Sequence, residues 1–82
     1  MDQPARTPRQ IGAALKRRRK LLGMSQDKLG TRVRLRQATI SKLEAGDPGT
    51  KLSTLLDTLA GLGLELVIRE RSSGQPDIED LF

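Results

Sequence analysis

Ser25-Gln-Asp-Lys-Leu-Gly-Thr-Arg-Val-Arg-Leu-Arg-Gln-Ala-Thr-Ile-Ser-Lys-Leu-Glu-Ala-Gly46 reads as two short helices joined by a tight turn. Its apolar residues recur at helical spacing. Leu29 and Val33 are four apart and Ile40 and Leu43 three apart, so each pair shares one face of a helix. Between the pairs, Leu35 lies in a tight turn where it can plug the gap. These five residues predict a small wedge that fixes the angle between two short helices.

The second of those helices has a different outer side. Gln37, Ala38, Thr39, Ser41 and Lys42 are small, polar or basic. A solvated helix face explains any one of them without a partner, but the set matches the edges of a DNA major groove. A glutamine amide pairs with an adenine edge, the methyls of Ala38 and Thr39 suit a thymine methyl, and Lys42 reaches a guanine or a phosphate. The whole pattern predicts a helix-turn-helix with one face free for DNA.

The flanks extend the helical reading. Thr7, Pro8 and Gln10 form a helix start, with Thr7 as N-cap, proline at the first helical position and glutamine three residues after the cap. From there Ile11, Ala14, Leu15, Arg18 and Leu22 fall on one side, and Gly23 supplies a left-handed stop. Ser25 caps the next helix, with Asp27 in its first turn. Asp47-Pro48-Gly49 is a turn. Leu52, Leu55, Leu56, Leu59 and Leu62 then mark a fourth helix, ended by Gly61 and Gly63.

After it, Leu64, Leu66 and Ile68 alternate with Glu65, Val67 and Arg69, the period of a half-buried strand. A lone strand leaves its backbone groups unpaired. The segment therefore implies a second copy, another protein, or no strand at all, and we expect a twofold homodimer. Residues 1–6 read as a flexible arm, 7–70 as one domain, and 71–82 as a disordered acidic tail ending in the apolar pair Leu81-Phe82.

Composition narrows the function. Eighty-two residues with one Phe and no Trp, Tyr, Cys or His allow one small leucine core, which favours self-association. Without His or Cys there is no thiolate metal set and no ready nucleophile–base pair, so no catalytic residue, metal or cofactor is expected. No apolar run has the length of a membrane span, and no signal-peptide core stands at the amino end. Net charge is +5. The segment Ser72–Phe82 carries Asp77, Glu79 and Asp80 and no base, so residues 1–71 hold +8. A small basic body without aromatic anchors favours nucleic acid over a membrane surface.

Ser25-Gln26, Gln37-Ala38-Thr39-Ile40-Ser41 and Leu43-Glu44-Ala45-Gly46 resemble the Cro/CI/XRE helix-turn-helix family, over roughly Gln10 to Leu64. The Gln-Ala-Thr-Ile-Ser run and the strand-like segment narrow the resemblance towards HipB-type antitoxins. It implies a mainly α, four-to-five-helix, lambda-repressor-like domain whose C-terminal strand pairs across a homodimer through Leu64, Leu66 and Ile68. It implies a structural ion pair between Arg19 and Glu44, a phosphate contact for Gln26, and a groove or phosphate contact for Arg36. Two positions depart from the pattern. Arg34 stands where the family has a turn glycine, which calls for a positive φ or a shifted turn, and Gly30 stands where it has alanine. The function implied is a dimeric, sequence-specific repressor on a palindromic DNA operator. It would be the cytoplasmic, nucleoid-associated antitoxin of a HipA-like kinase toxin, regulating its own operon. Two alternatives remain at this point: a toxin inhibitor with incidental DNA binding, and a phage-type repressor without a toxin.

Overall fold

The computed structural model describes residues 3–71. Four helices follow in order: α1 (Pro8–Leu21), α2 (Gln26–Val33), α3 (Gln37–Glu44) and α4 (Leu52–Gly61). α3 packs on both α1 and α2, and α4 packs on α2. Leu15, Met24, Leu29, Ile40, Leu43, Leu59 and Leu62 form the buried core, and Ile11, Val33, Leu35, Leu55 and Leu64 close around it. Fully burying an aliphatic side chain of this size contributes about 1.5–3 kcal/mol, so these leucines dominate the fold's stability.

The helix ends share one device. After α1, the Gly23 amide donates to the Lys20 carbonyl and the Met24 amide to the Arg19 carbonyl, with Gly23 at φ 72°. This Schellman arrangement satisfies the last carbonyls and turns the chain inward. It recurs after α3 at Gly46 and after α4 at Gly63. The turn between α2 and α3 uses the same bond, from the Leu35 amide to the Gly30 carbonyl at 2.8 Å. There the left-handed seat is held by Arg34, at φ 61° and ψ 43°. Of the two outcomes open to a non-glycine residue at this position, the chain takes the positive φ. In three of the four turns the next residue, Met24, Leu35 or Leu64, packs into or against the core.

Several expectations are revised. The inner face of α1 holds the expected Leu15, buried, and Ile11, packed on the core, with Ala14 and Arg18 half-buried; it also takes in Gly12 and Arg19, while Leu22 is 44 % exposed. Gly12 is required where it sits: a Cβ there would meet the Leu43 carbonyl oxygen at 2.5 Å and that of Glu44 at 2.6 Å. Its bare backbone lets α1 lie close against the end of α3. Gly61 is the last residue of α4, as expected, and it is also a close contact, since an added Cβ there would collide with Val33. The Thr7 hydroxyl accepts from the Gln10 amide as expected, but the Gln10 side chain takes its bond from the Arg6 amide and not from Thr7.

The strand expected over Leu64–Glu70 is not present in the single chain, and the helix count is four among the described residues. Residues 64–71 adopt no helix, turn or strand. One chain offers this segment no second strand to form a ladder with. Leu64 packs on the core, but Leu66, Val67 and Ile68 are exposed, Ile68 to 92 %. The acidic tail, apart from Arg71, and the first two residues of the arm lie outside the described residues.

Candidate nucleic-acid interface

The face of α3 turned from the core carries the residues singled out by sequence. Ile40, Leu43 and Glu44 are buried; Gln37, Ala38, Ser41 and Lys42 are exposed, with Arg36 exposed at the N-cap. Thr39 is half-buried and offers the groove only part of its side chain. Arg36 makes no side-chain capping bond, and the first turn of α3 holds no acid. The helix therefore begins with amides unclaimed by a side chain and a cation beside them, an arrangement that a phosphate or base acceptor would complete.

Behind this face lies a buried ion pair. Arg19 Nε donates to Glu44 Oε2 at 2.6 Å and Arg19 Nη2 to Oε1 at 3.0 Å, a two-pronged contact. The third arm, Nη1, donates to the Met24 carbonyl at 2.7 Å. Both side chains are more than nine-tenths buried. Burial alone pushes the Glu44 carboxyl upward. The hydrogen bonds from Arg19 and Gln26, with the charges of Arg19 and Lys16, outweigh it and hold the group below the usual glutamate range. The same hydrogen bond from Arg19 to Glu44 raises the guanidinium further above its already high value.

The pair reaches the surface through two glutamines. Gln26 Nε2 donates to Glu44 Oε1 at 3.0 Å, and Gln37 Nε2 donates to Gln26 Oε1 at 3.1 Å. The structure thus joins Arg19, Glu44, Gln26 and Gln37 in one polar chain from core to outer face. Composition and periodicity gave no sign of the links at Gln26, because residues 26, 37 and 44 meet only through the crossing of α2 and α3. Lys28, Arg32, Arg34, Arg36 and Lys42 are all exposed on this segment, against Asp27 and the neutralised Glu44. The local field is positive. Leu64, Leu66 and Ile68 take no part in this face.

No group of three or more acidic, His or Cys side chains among the described residues is placed to hold a metal. No helix among them is long and apolar enough to cross a membrane.

An architecture of this kind, with a short helix carried outward on two others beside a basic surface, defines a helix-turn-helix protein, and residues 15–68 match the family model described as helix-turn-helix. Antitoxin HipB of Escherichia coli strain K12 is 30 % identical over 71 residues, covering 87 % of this chain and 81 % of that protein. Antitoxin HipB of Escherichia coli O6:H1 is also 30 % identical over 71 residues, covering 87 % of this chain and 76 % of its own length. Two solved structures, a HipA–HipB–O2–O3 complex and a HipB–O4 20mer complex, each contain a chain that superposes with a TM-score of 0.81 at 30 % identity. Each match covers 87 % of this chain and all of the other. The chain belongs to the Cro/CI/XRE-type helix-turn-helix family, among its HipB-like members.

Proposed function

We propose that the protein is a dimeric, sequence-specific DNA-binding repressor that acts as the antitoxin of a HipA-like kinase and represses its own operon. The observation that carries the DNA reading is the outward face of α3. Its polar side chains are exposed, its N-terminus is uncapped, and Gln37 is held by a chain of hydrogen bonds anchored in the core. Gln37, Ala38, Thr39, Ser41 and Lys42 enter the major groove. Gln26 and Arg36 hold the phosphate backbone on either side of the turn. The work is binding and not catalysis, and its place is the cytoplasm, at the nucleoid.

The dimer rests on exposed apolar surface. Leu52, Leu56, Leu66, Val67 and Ile68 lie open on a single chain that has few leucines to spare. Pairing residues 64–70 with their copies puts Leu64, Leu66 and Ile68 on the buried side, as a two-stranded lid over the paired α4 helices that covers Leu52 and Leu56 as well. Two copies set two α3 helices about one DNA turn apart, which calls for a palindromic operator. The kinase partner is supported by kinship alone: a HipB relative has been solved together with HipA.

Two substitutions test the assignment. Gln37→Ala relaxes base preference at one operator position by roughly 1–3 kcal/mol, whereas Gln26→Ala weakens binding to all sequences alike. Gel-shift affinities for cognate and scrambled duplexes read both effects, and unchanged affinities in both variants would overturn the DNA reading. Sedimentation of Ile68→Lys reads the dimer, with a monomer expected where the unaltered protein is dimeric. Co-purification from the native host at low salt identifies the protein partner.

A further inference from the structure

The hydrogen-bond chain behind α3 has a direction, and one residue sets it. An ionised carboxylate only accepts, and the Glu44 carboxylate is fixed in place by two bonds from Arg19. Gln26 must therefore turn its Nε2 inward to Glu44, which leaves its Oε1 facing α3. Gln37 must then present Nε2 to that oxygen. The amide orientations, ordinarily a matter of choosing between two similar ends, have one solution here.

The consequence lies on the outer side. With one Nε2 hydrogen committed to Gln26, Gln37 keeps one free N–H and its Oε1, one donor and one acceptor. Adenine offers the complementary pair in the major groove, the N7 acceptor and N6 donor; guanine offers two acceptors, N7 and O6. Reversing the chain would hand the Gln37 oxygen to Gln26 and leave both of its N–H groups facing outward, which suits guanine. Building on the DNA-binding reading above, we infer that Glu44 is a positioning residue for base choice: from inside the core it sets the polarity of Gln26 and Gln37, and through them selects adenine over guanine. Glu44 touches no DNA in this scheme.

A structural role for Glu44 would weaken binding to every sequence equally, so the discriminating readout is the ratio between two bases. Selection from a randomised duplex library is run on the unaltered protein, on Glu44→Gln and on the swapped pair Arg19→Glu with Glu44→Arg, after circular dichroism has verified that each folds. Adenine is expected to lead guanine by roughly 5- to 100-fold at the position that Gln37→Ala relaxes. That lead should shrink at least about fivefold in Glu44→Gln, whose neutral amide no longer imposes acceptance. It should turn towards guanine in the swapped pair, where residue 44 only donates. An adenine-to-guanine ratio unchanged in the folded variants overturns the inference while leaving DNA binding intact.

The DNA-free protein supplies a second test, independent of that reading and of whether the swapped pair folds. The side-chain amide nitrogen signals of Gln26 and Gln37 should move together with the Glu44 carboxyl carbon through one acid titration. Amide signals that ignore that titration overturn the inference. If the unaltered protein selects no sequence at all, the DNA reading fails by itself, and the titration still decides whether Glu44 orients the two glutamines.

Discussion

α2 and α3 are both eight residues long and are stabilised in opposite ways. α2 carries its own end signals. Ser25 accepts from the Lys28 amide at 3.0 Å, and Asp27 lies in the first turn. α3 has neither, and begins beside a cation. Isolated helices this short are marginal in water, so α3 must draw its stability from elsewhere. It does so through Ile40 and Leu43 in the core, through the close approach of Gly12, and through the Glu44–Arg19 pair. A helix held entirely from behind leaves its first turn and outer face unclaimed by the fold. That is the condition a reading helix has to meet, and α2, fastened at its own start, has no such need.

Loss of the ion pair removes the largest single support of α3. Glu44→Ala strands a buried guanidinium and should cost about 3–5 kcal/mol in urea unfolding. Replacing both partners, Arg19→Met with Glu44→Leu, should recover most of that loss, because the desolvation of two charges is removed together. Acid gives the same test without a mutation. The folded-state value of Glu44 lies below its unfolded one, so its contribution is present above the ordinary glutamate range and fades as pH falls through the lowered value. The urea midpoint of the unaltered protein should therefore drop more steeply under acid than that of the double variant. Equal acid sensitivity would mean that the pair does not hold α3.

What the sequence disclosed follows the same division. The wedge of Leu29, Val33, Leu35, Ile40 and Leu43 was readable because helical period alone puts those residues on facing sides, and three of them are buried with two packed around them. Thr7, Ser25 and Gly23 were readable because capping is local. The inner face of α1 was readable in part: Ile11 and Leu15 pack as their spacing implies, but the burial of Gly12 depends on a contact with residues more than thirty positions away. Leu52 and Leu56 fit the period of α4 yet remain exposed on one chain, as do Leu66 and Ile68. Periodicity reports which residues seek cover, not which molecule supplies it. At the candidate site, the identities of Gln26 and Gln37 were legible, but their link to each other and to Glu44 depends on a helix crossing that no spacing encodes.

Smaller effects sharpen the contrast at the ends of α2. Removing its cap with Ser25→Ala should cost about 1 kcal/mol, well short of the loss at Glu44, and thermal unfolding of the two variants side by side checks the ranking. A Ser25 variant as damaged as Glu44→Ala would show that α2 is no better secured than α3.

The smallest effect concerns Arg34, and its sign is the informative part. The left-handed conformation costs a non-glycine residue about 1–2 kcal/mol, while glycine brings roughly 0.5–1 kcal/mol of extra unfolded-state freedom. Arg34→Gly should therefore stabilise the fold by about 0.5–1 kcal/mol, since the Leu35-to-Gly30 bond that closes the turn uses backbone atoms alone and survives the change. The exposed arginine also contributes a positive charge to the segment facing the proposed DNA. The variant should accordingly unfold at a higher urea concentration and yet bind duplexes of any sequence more weakly, with a shallower dependence on salt. Gain of stability with loss of affinity would show that this turn carries a strained residue for the sake of its charge. Gain of stability with undiminished affinity would leave Arg34 as strain without a purpose at the DNA.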